Sequence, residues 1–152
     1  MQTILITGAG TGLGKELALS YAKKGHTIIL TGRRLDPLEA VKEEILSLGA
    51  KAFAYQMDIS SLENVKQAVS KIISKHTVDY LLNNAGAGCF GPLTNLDYGE
   101  IETAIQTNVL GTIFLTKELL PHLLKQENSK IMNIISTAGQ KGKVNESVYV
   151  AS

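Results

Sequence analysis

The chain has 152 residues, a net charge of +1, 44% hydrophobic and 19% charged residues, a balance that fits one folded globular domain and excludes a disordered chain. No basic tail or acidic run calls for nucleic acid or an anionic membrane surface as partner, and no apolar stretch reaches the ~18 residues of a membrane span. Cys89 is the single cysteine, which excludes an internal disulfide and reads as a small apolar filler; Met1-Gln2 leads straight into a strand pattern with no signal peptide, so the expected setting is cytoplasmic.

Thr3 to Thr7 is a short run of β-branched and apolar residues that predicts a strand buried on both faces. A glycine-rich turn, Gly8 to Gly14, follows, and Leu13, Leu17, Ala18 and Tyr21 recur at helical spacing until Gly25. Thr27 to Thr31 is the second strand. Asp36 then reads as an N-cap with Pro37 at the first helical position, and Leu38, Val41, Ile45 and Leu48 form the apolar stripe up to Gly49. Ala52 to Met57 is the third strand, followed by a helix over 62–75 capped by Ser60 or Ser61. Asp79 to Asn83 is the fourth strand, with Asp79 read as a turn residue. A loop with Gly86, Gly88, Gly91 and Pro92 leads to a long helical region over 98–126, which Pro121 is expected to kink. Lys130 to Ser136 is the fifth strand, and a new helix starts near Val148 after a loop.

Repeated βα units with right-handed crossovers predict an α/β fold: a Rossmann-like, doubly wound parallel sheet of order 3-2-1-4-5, with the ligand at the carboxyl ends of strands one and four. Residues 1–152 are expected to form a single domain of this kind, incomplete at its C-terminal end. Thr7, Gly8, Gly10, Thr11, Gly12, Leu13 and Gly14 make the turn between the first strand and first helix. Glycines there let the backbone turn tightly and approach a pyrophosphate, and the helix N-terminus adds free N–H groups. The spacing is Gly-x3-Gly-x-Gly, not the general Gly-x-Gly-x2-Gly. Where a carboxylate would bind the ribose hydroxyl of NAD, this chain has Arg33 and Arg34. Guanidinium groups suit a 2′-phosphate, so NADP(H) is the expected cofactor over NAD(H).

These residues carry a resemblance to the short-chain dehydrogenase/reductase family that spans nearly the whole chain. Thr7 to Gly14 has the family's Thr-Gly-x3-Gly-x-Gly. Asp58-Ile59 resembles its aspartate–small apolar pair, which the resemblance implies contacts the adenine. Asn83-Asn84-Ala85-Gly86 matches its sequence after strand four, where Asn84, Ala85 and Gly86 would line the nicotinamide ribose. Asn108 matches the active-site asparagine, Ser136 the catalytic serine and Tyr149 the catalytic tyrosine. His26, His76 and His122 match no motif position.

The resemblance implies hydride transfer between a nicotinamide and a carbonyl or alcohol carbon of a small-molecule substrate. Tyr149 would be the general acid, Ser136 would bond the substrate oxygen, and Asn108 would hold a water of a proton relay. The family's lysine, four residues after the tyrosine, would be residue 153, so the chain is expected to be part of a longer polypeptide, with the 152 residues alone inactive. The loop 87–96 would line the substrate pocket and weakly favours an uncharged or apolar substrate. The resemblance also implies a homodimer or homotetramer. Two alternatives stay open: a catalytically silent dinucleotide-binding sensor or scaffold, and the same enzyme using NAD.

Overall fold

A computed structural model describes residues 1–152. Five strands alternate with helices: β1 (Thr3–Thr7), α1 (Gly12–Lys23), β2 (Thr27–Gly32), α2 (Leu35–Ser47), β3 (Ala52–Gln56), α3 (Leu62–Ile73) and β4 (Tyr80–Asn83). Then come α4 (Tyr98–Ile105), a π-helical segment (Gln106–Gly111), α5 (Thr112–Leu123), β5 (Lys130–Asn133) and α6 (Ser147–Ala151). The sheet is wholly parallel, in the expected order β3-β2-β1-β4-β5.

Alternation along the central strands builds two cores. Leu5, Ile29 and Leu81 are in register and point to one face, where Val65, Val69 and Ile72 of α3 and Leu115, Leu119 and Leu123 of α5 cover them. Ile4, Ile6, Ile28, Leu30 and Leu82 point to the other face, against Ala18 and Ala22 of α1 and Leu38, Val41 and Ile45 of α2. Burial on both faces explains the continuous apolar runs of β1 and β2. β5 differs: it is an edge strand with all four residues exposed. Cys89 is buried beside Ala104 and Val148 in a small third cluster, and no helix is long and apolar enough to cross a membrane.

Several boundaries depart from the sequence reading. α2 begins at Leu35, with Arg34 in extended conformation before it, so Asp36 lies in the first turn and is not the cap. Pro37 is tolerated there because first-turn N–H groups have no intrahelical partner. Leu13 is exposed because it sits in the first turn of α1, beyond the strand ends; Leu48 is exposed because it lies past the last turn of α2. Ser61, not Ser60, caps α3 by accepting from Asn64 N–H. β3 ends at Gln56, β5 at Asn133 and α5 at Leu123, each earlier than expected. The long helix changes character at the π-helical segment, well before Pro121, which lies inside α5. A side chain at Gly111 would come within 2.8 Å of the Ile59 carbonyl oxygen, so the segment packs closely on the loop after β3. Asp79 is structural: its carboxylate accepts from Thr3 N–H at 2.7 Å. The three histidines also hold structure. His26 accepts from Gln2 N–H, His122 accepts from Val78 N–H, and His76 bonds Tyr55 Oη.

Candidate active site

The site begins where β1 and β4 end side by side. Thr7 is buried, and its Oγ1 accepts from the N–H groups of Asn84 and Ala85, each at 2.9 Å. Asn84 Nδ2 donates to the Thr7 carbonyl at 2.9 Å and to the Gly8 carbonyl at 3.4 Å. These bonds tie the glycine turn to the loop after β4. Gly8 and Gly12 have φ of 64° and 54°, a region that disfavours any side chain. Gly14 serves close packing, since a Cβ there would collide with the Gly8 carbonyl oxygen and approach Asn84 Nδ2 to 2.6 Å. Thr11 precedes α1 without a side-chain capping bond, so first-turn N–H groups of α1 are left for an anion.

A groove of about 250 Å³ runs from this turn. Thr7, Gly8, Gly10 and Thr11 line one side, Arg33, Arg34, Asp58 and Ile59 another, and Asn84, Ala85 and Gly86 its inner end. Gly12 and Gly14 shape the turn without lining the groove. Both arginines are exposed and neither makes an ion pair; the two ion pairs of the chain are Lys15–Glu44 and Lys42–Glu39. Arg33 is held through its backbone, its carbonyl accepting from Gln56 Nε2 at 2.8 Å. Asp58 is steadied by Ser60, whose N–H and Oγ donate to Oδ1 at 3.0 and 2.7 Å. Thr31, Pro37, Met57 and Thr107 line the groove as well and were missed in the sequence. Thr31 and Met57 could have been found, because residues at the carboxyl ends of parallel strands face the ligand side.

Asn84, Ala85 and Gly86 also line a second cleft, of about 900 Å³, so the two spaces meet at this loop. Asn108, Ser136, Tyr149 and Leu13 line it. Asn108 Oδ1 accepts from Ala87 N–H at 2.7 Å; its Nδ2 donates to the Ala87 carbonyl at 2.9 Å and to Ser152 Oγ at 2.8 Å. Ser152 Oγ donates onward to the Tyr149 carbonyl at 3.1 Å. The π-helical segment thus presents one side chain that holds the β4 loop and the tyrosine's helix together. Ser136 Oγ accepts from Ala138 N–H at 3.1 Å, leaving its own proton to donate. At the wall of the cleft, buried Asn83 donates from Nδ2 to Thr116 Oγ1 and Asn133 Oδ1, at 3.1 and 2.8 Å, and secures the end of β5.

The arrangement offers an anion-binding turn, two unpaired cations and, across a shared loop, a phenol and a hydroxyl on one cleft. Glycine backbone, free N–H groups and positive charge fit a dinucleotide phosphate. No cluster of side chains suited to a metal ion is present.

Known proteins share this framework. A family model described as short chain dehydrogenase matches residues 2–152. A ketoacyl reductase, HetN, of Nostoc sp. is 35% identical over 99% of this chain and 53% of its own length. The 3-oxoacyl-[acyl-carrier-protein] reductase FabG of Staphylococcus epidermidis is 31% identical over 99% of this chain and 63% of its own. The chain therefore spans about half to two-thirds of the length of these curated relatives. Among solved structures, a metagenomic short-chain oxidoreductase in complex with NADP superposes with a TM-score of 0.94 at 30% identity, over 99% of this chain and 69% of that one. NAD+-bound xylitol dehydrogenase superposes with a TM-score of 0.93 at 30% identity, over 99% and 58%.

Proposed function

The chain belongs to the short-chain dehydrogenase family, and from that premise we propose that the whole protein interconverts a carbonyl and an alcohol with NADP(H). The observation that carries this reading is the meeting of the two spaces at Asn84, Ala85 and Gly86. One holds the glycine turn and the unpaired arginines, the other Ser136 and Tyr149. Bound NADP(H) would supply or accept the hydride.

The chain's own residues do the rest. The turn and the first N–H groups of α1 hold the pyrophosphate. Arg33 and Arg34 pair with the 2′-phosphate, Asp58 and Ile59 border the adenine, and Ala85 and Gly86 let the nicotinamide ribose approach. In the reducing direction Tyr149 donates a proton to the substrate oxygen, and Ser136 donates a hydrogen bond to the same atom. Asn108 fixes the helix of Tyr149 through Ser152 and keeps one acceptor position on Oδ1 for a water of the proton relay.

NADPH turnover by the whole protein with a panel of carbonyl compounds tests the reaction; turnover of none sinks it and favours a dinucleotide-binding module. Replacing Arg33 and Arg34 together with alanine should lower the preference for NADPH over NADH by about tenfold to a hundredfold per lost charge-assisted bond. An unchanged preference favours the NAD reading, which the likeness to NAD+-bound xylitol dehydrogenase supports.

We further propose a homodimer or homotetramer through the long helix. Leu110, Ile113, Leu120 and Leu124 recur on it at intervals of three, seven and four residues and are all exposed, a spacing that places them on one helix face. Light scattering that returns a monomer mass removes this assembly.

A further inference from the structure

We propose that Phe90 sets the substrate class: a neutral ketone or aldehyde whose carbonyl carries an aryl or comparably bulky apolar group. The inference rests on the carbonyl-reducing reading and specifies it. Phe90 is 62% exposed, yet its position is built. The residue before it, Cys89, is 4% exposed and packs with Ala104 and Val148. The residue after it, Gly91, donates its N–H to the Asn145 carbonyl at 2.7 Å, which ties this loop to the segment before α6. The ring itself folds back over Gly88, where any Cβ would collide with it. So held, the ring lies 5.2 Å from the ring of Tyr149, at an interplanar angle of 59°.

A large apolar side chain is thus fixed open-faced beside the proton donor. Leu13, Ile134 and Ile135 also line that cleft. An aryl group on the carbonyl carbon would meet aromatic edges and faces at favourable spacing. A carboxylate held against Phe90 and these apolar side chains would lose its water without gaining a partner from them. The sequence places loop 87–96 at the substrate pocket and favours an apolar substrate only weakly; the position of the Phe90 ring follows once Cys89 is buried and Gly88 leaves it space.

The test uses the whole protein and NADPH with three probes: acetophenone, butanone and phenylpyruvate. Wild type should prefer acetophenone over both others in kcat/KM. Phe90→Ala should lower the acetophenone-to-butanone ratio by about tenfold or more, the size of a lost apolar contact in a substrate pocket, mainly through the KM of acetophenone. Gly88→Ala keeps the phenyl ring but displaces it, and should lower the ratio in the same direction. Phe90→Tyr should restore it. A ratio unchanged in both Phe90→Ala and Gly88→Ala overturns the proposal, as does wild-type preference for phenylpyruvate. Turnover of none of the three by wild type that reduces another carbonyl compound overturns the substrate class alone, and turnover of no carbonyl compound at all overturns the reaction with it. The two failures are distinct, because the first leaves an active reductase.

Discussion

At the amino side of the shared loop the chain presents a glycine backbone and exposed cations, and at the carboxyl side neutral side chains held by hydrogen bonds. Gly8 and Gly12 at positive φ, and Gly14 against the Gly8 carbonyl, set a tight turn of main-chain groups before α1. This half rests on β1 and β2, whose middle residues are wholly buried between two helix layers. Beyond Asn83 the site depends on hydrogen bonds that single side chains make: Asn108 to Ala87 and Ser152, Asn83 to Thr116 and Asn133, and Ser136 to Ala138. Its nearest strand, β5, is exposed throughout. A phosphate can be bound by geometry that any glycine-rich turn supplies, whereas proton transfer needs particular functional groups at particular places.

The largest expected effect separates the two sides at the chemical step. Tyr149→Phe removes the phenolic proton, and kcat should fall by about a hundredfold to ten-thousandfold, while NADPH still binds, measured by its fluorescence on titration. Loss of NADPH binding in the same measure as kcat would break the division. A smaller effect is expected at the amino side. Gly14→Ala drives a Cβ into the Gly8 carbonyl and Asn84 Nδ2, and should destabilise the fold by about 1–3 kcal/mol, as overpacking does, with NADPH binding lost alongside. Gly12→Ala meets no atom within 4 Å, so only its positive φ opposes it, at a cost of roughly 1–2 kcal/mol. Urea unfolding of both variants checks the order; a Gly12 variant less stable than the Gly14 variant would show that φ, and not contact, governs the turn.

The same division explains what could be read from the sequence. The order of the sheet and the glycine turn were legible because short continuous apolar runs alternating with helical spacing mark repeated βα units, and because obligatory glycines show in the residue pattern. Asn108, Ser136 and Tyr149 were legible through resemblance, as positions, but not as geometry. Nothing in Gln106-Thr107-Asn108-Val109-Leu110-Gly111 distinguishes a π-helical segment from an ordinary turn of helix, since the difference is one of register and comes from packing on Ile59 and Ala87. Leu13 shared the apolar spacing of α1, yet it lines the second cleft, because periodicity marks a face of a helix and not how far along the helix the core extends. Pro37 reads as the first helical position with Asp36 as its cap, yet α2 starts two residues earlier; a proline fits more than one position of a first turn, so it marks the start only to within a residue or two.

The smallest effect concerns the far edge of the amino side, where β3 closes the sheet. His76 Nε2 lies 2.7 Å from Tyr55 Oη and its ring rests 4.3 Å from Phe53. Burial holds the imidazole below its ordinary pKa of 6.5, and the neighbouring Lys75 charge adds to this. Burial also raises Tyr55 above 10.0. The unfolded chain therefore takes up a proton at His76 before the folded chain does. Stability should decline as pH falls below 6.5 and level off once pH is below the folded value. By the converse sign, Tyr55 loses its proton first in the unfolded chain, so stability should also decline as pH rises past 10.0. His76→Gln keeps a hydrogen-bonding side chain but cannot titrate, and should flatten only the acid limb of Tm against pH. Because His76 lines neither of the two joined spaces, kcat should be the same in the variant. An acid limb as steep in His76→Gln as in wild type would mean that other groups carry it, and that this edge is tied to the fold by packing alone.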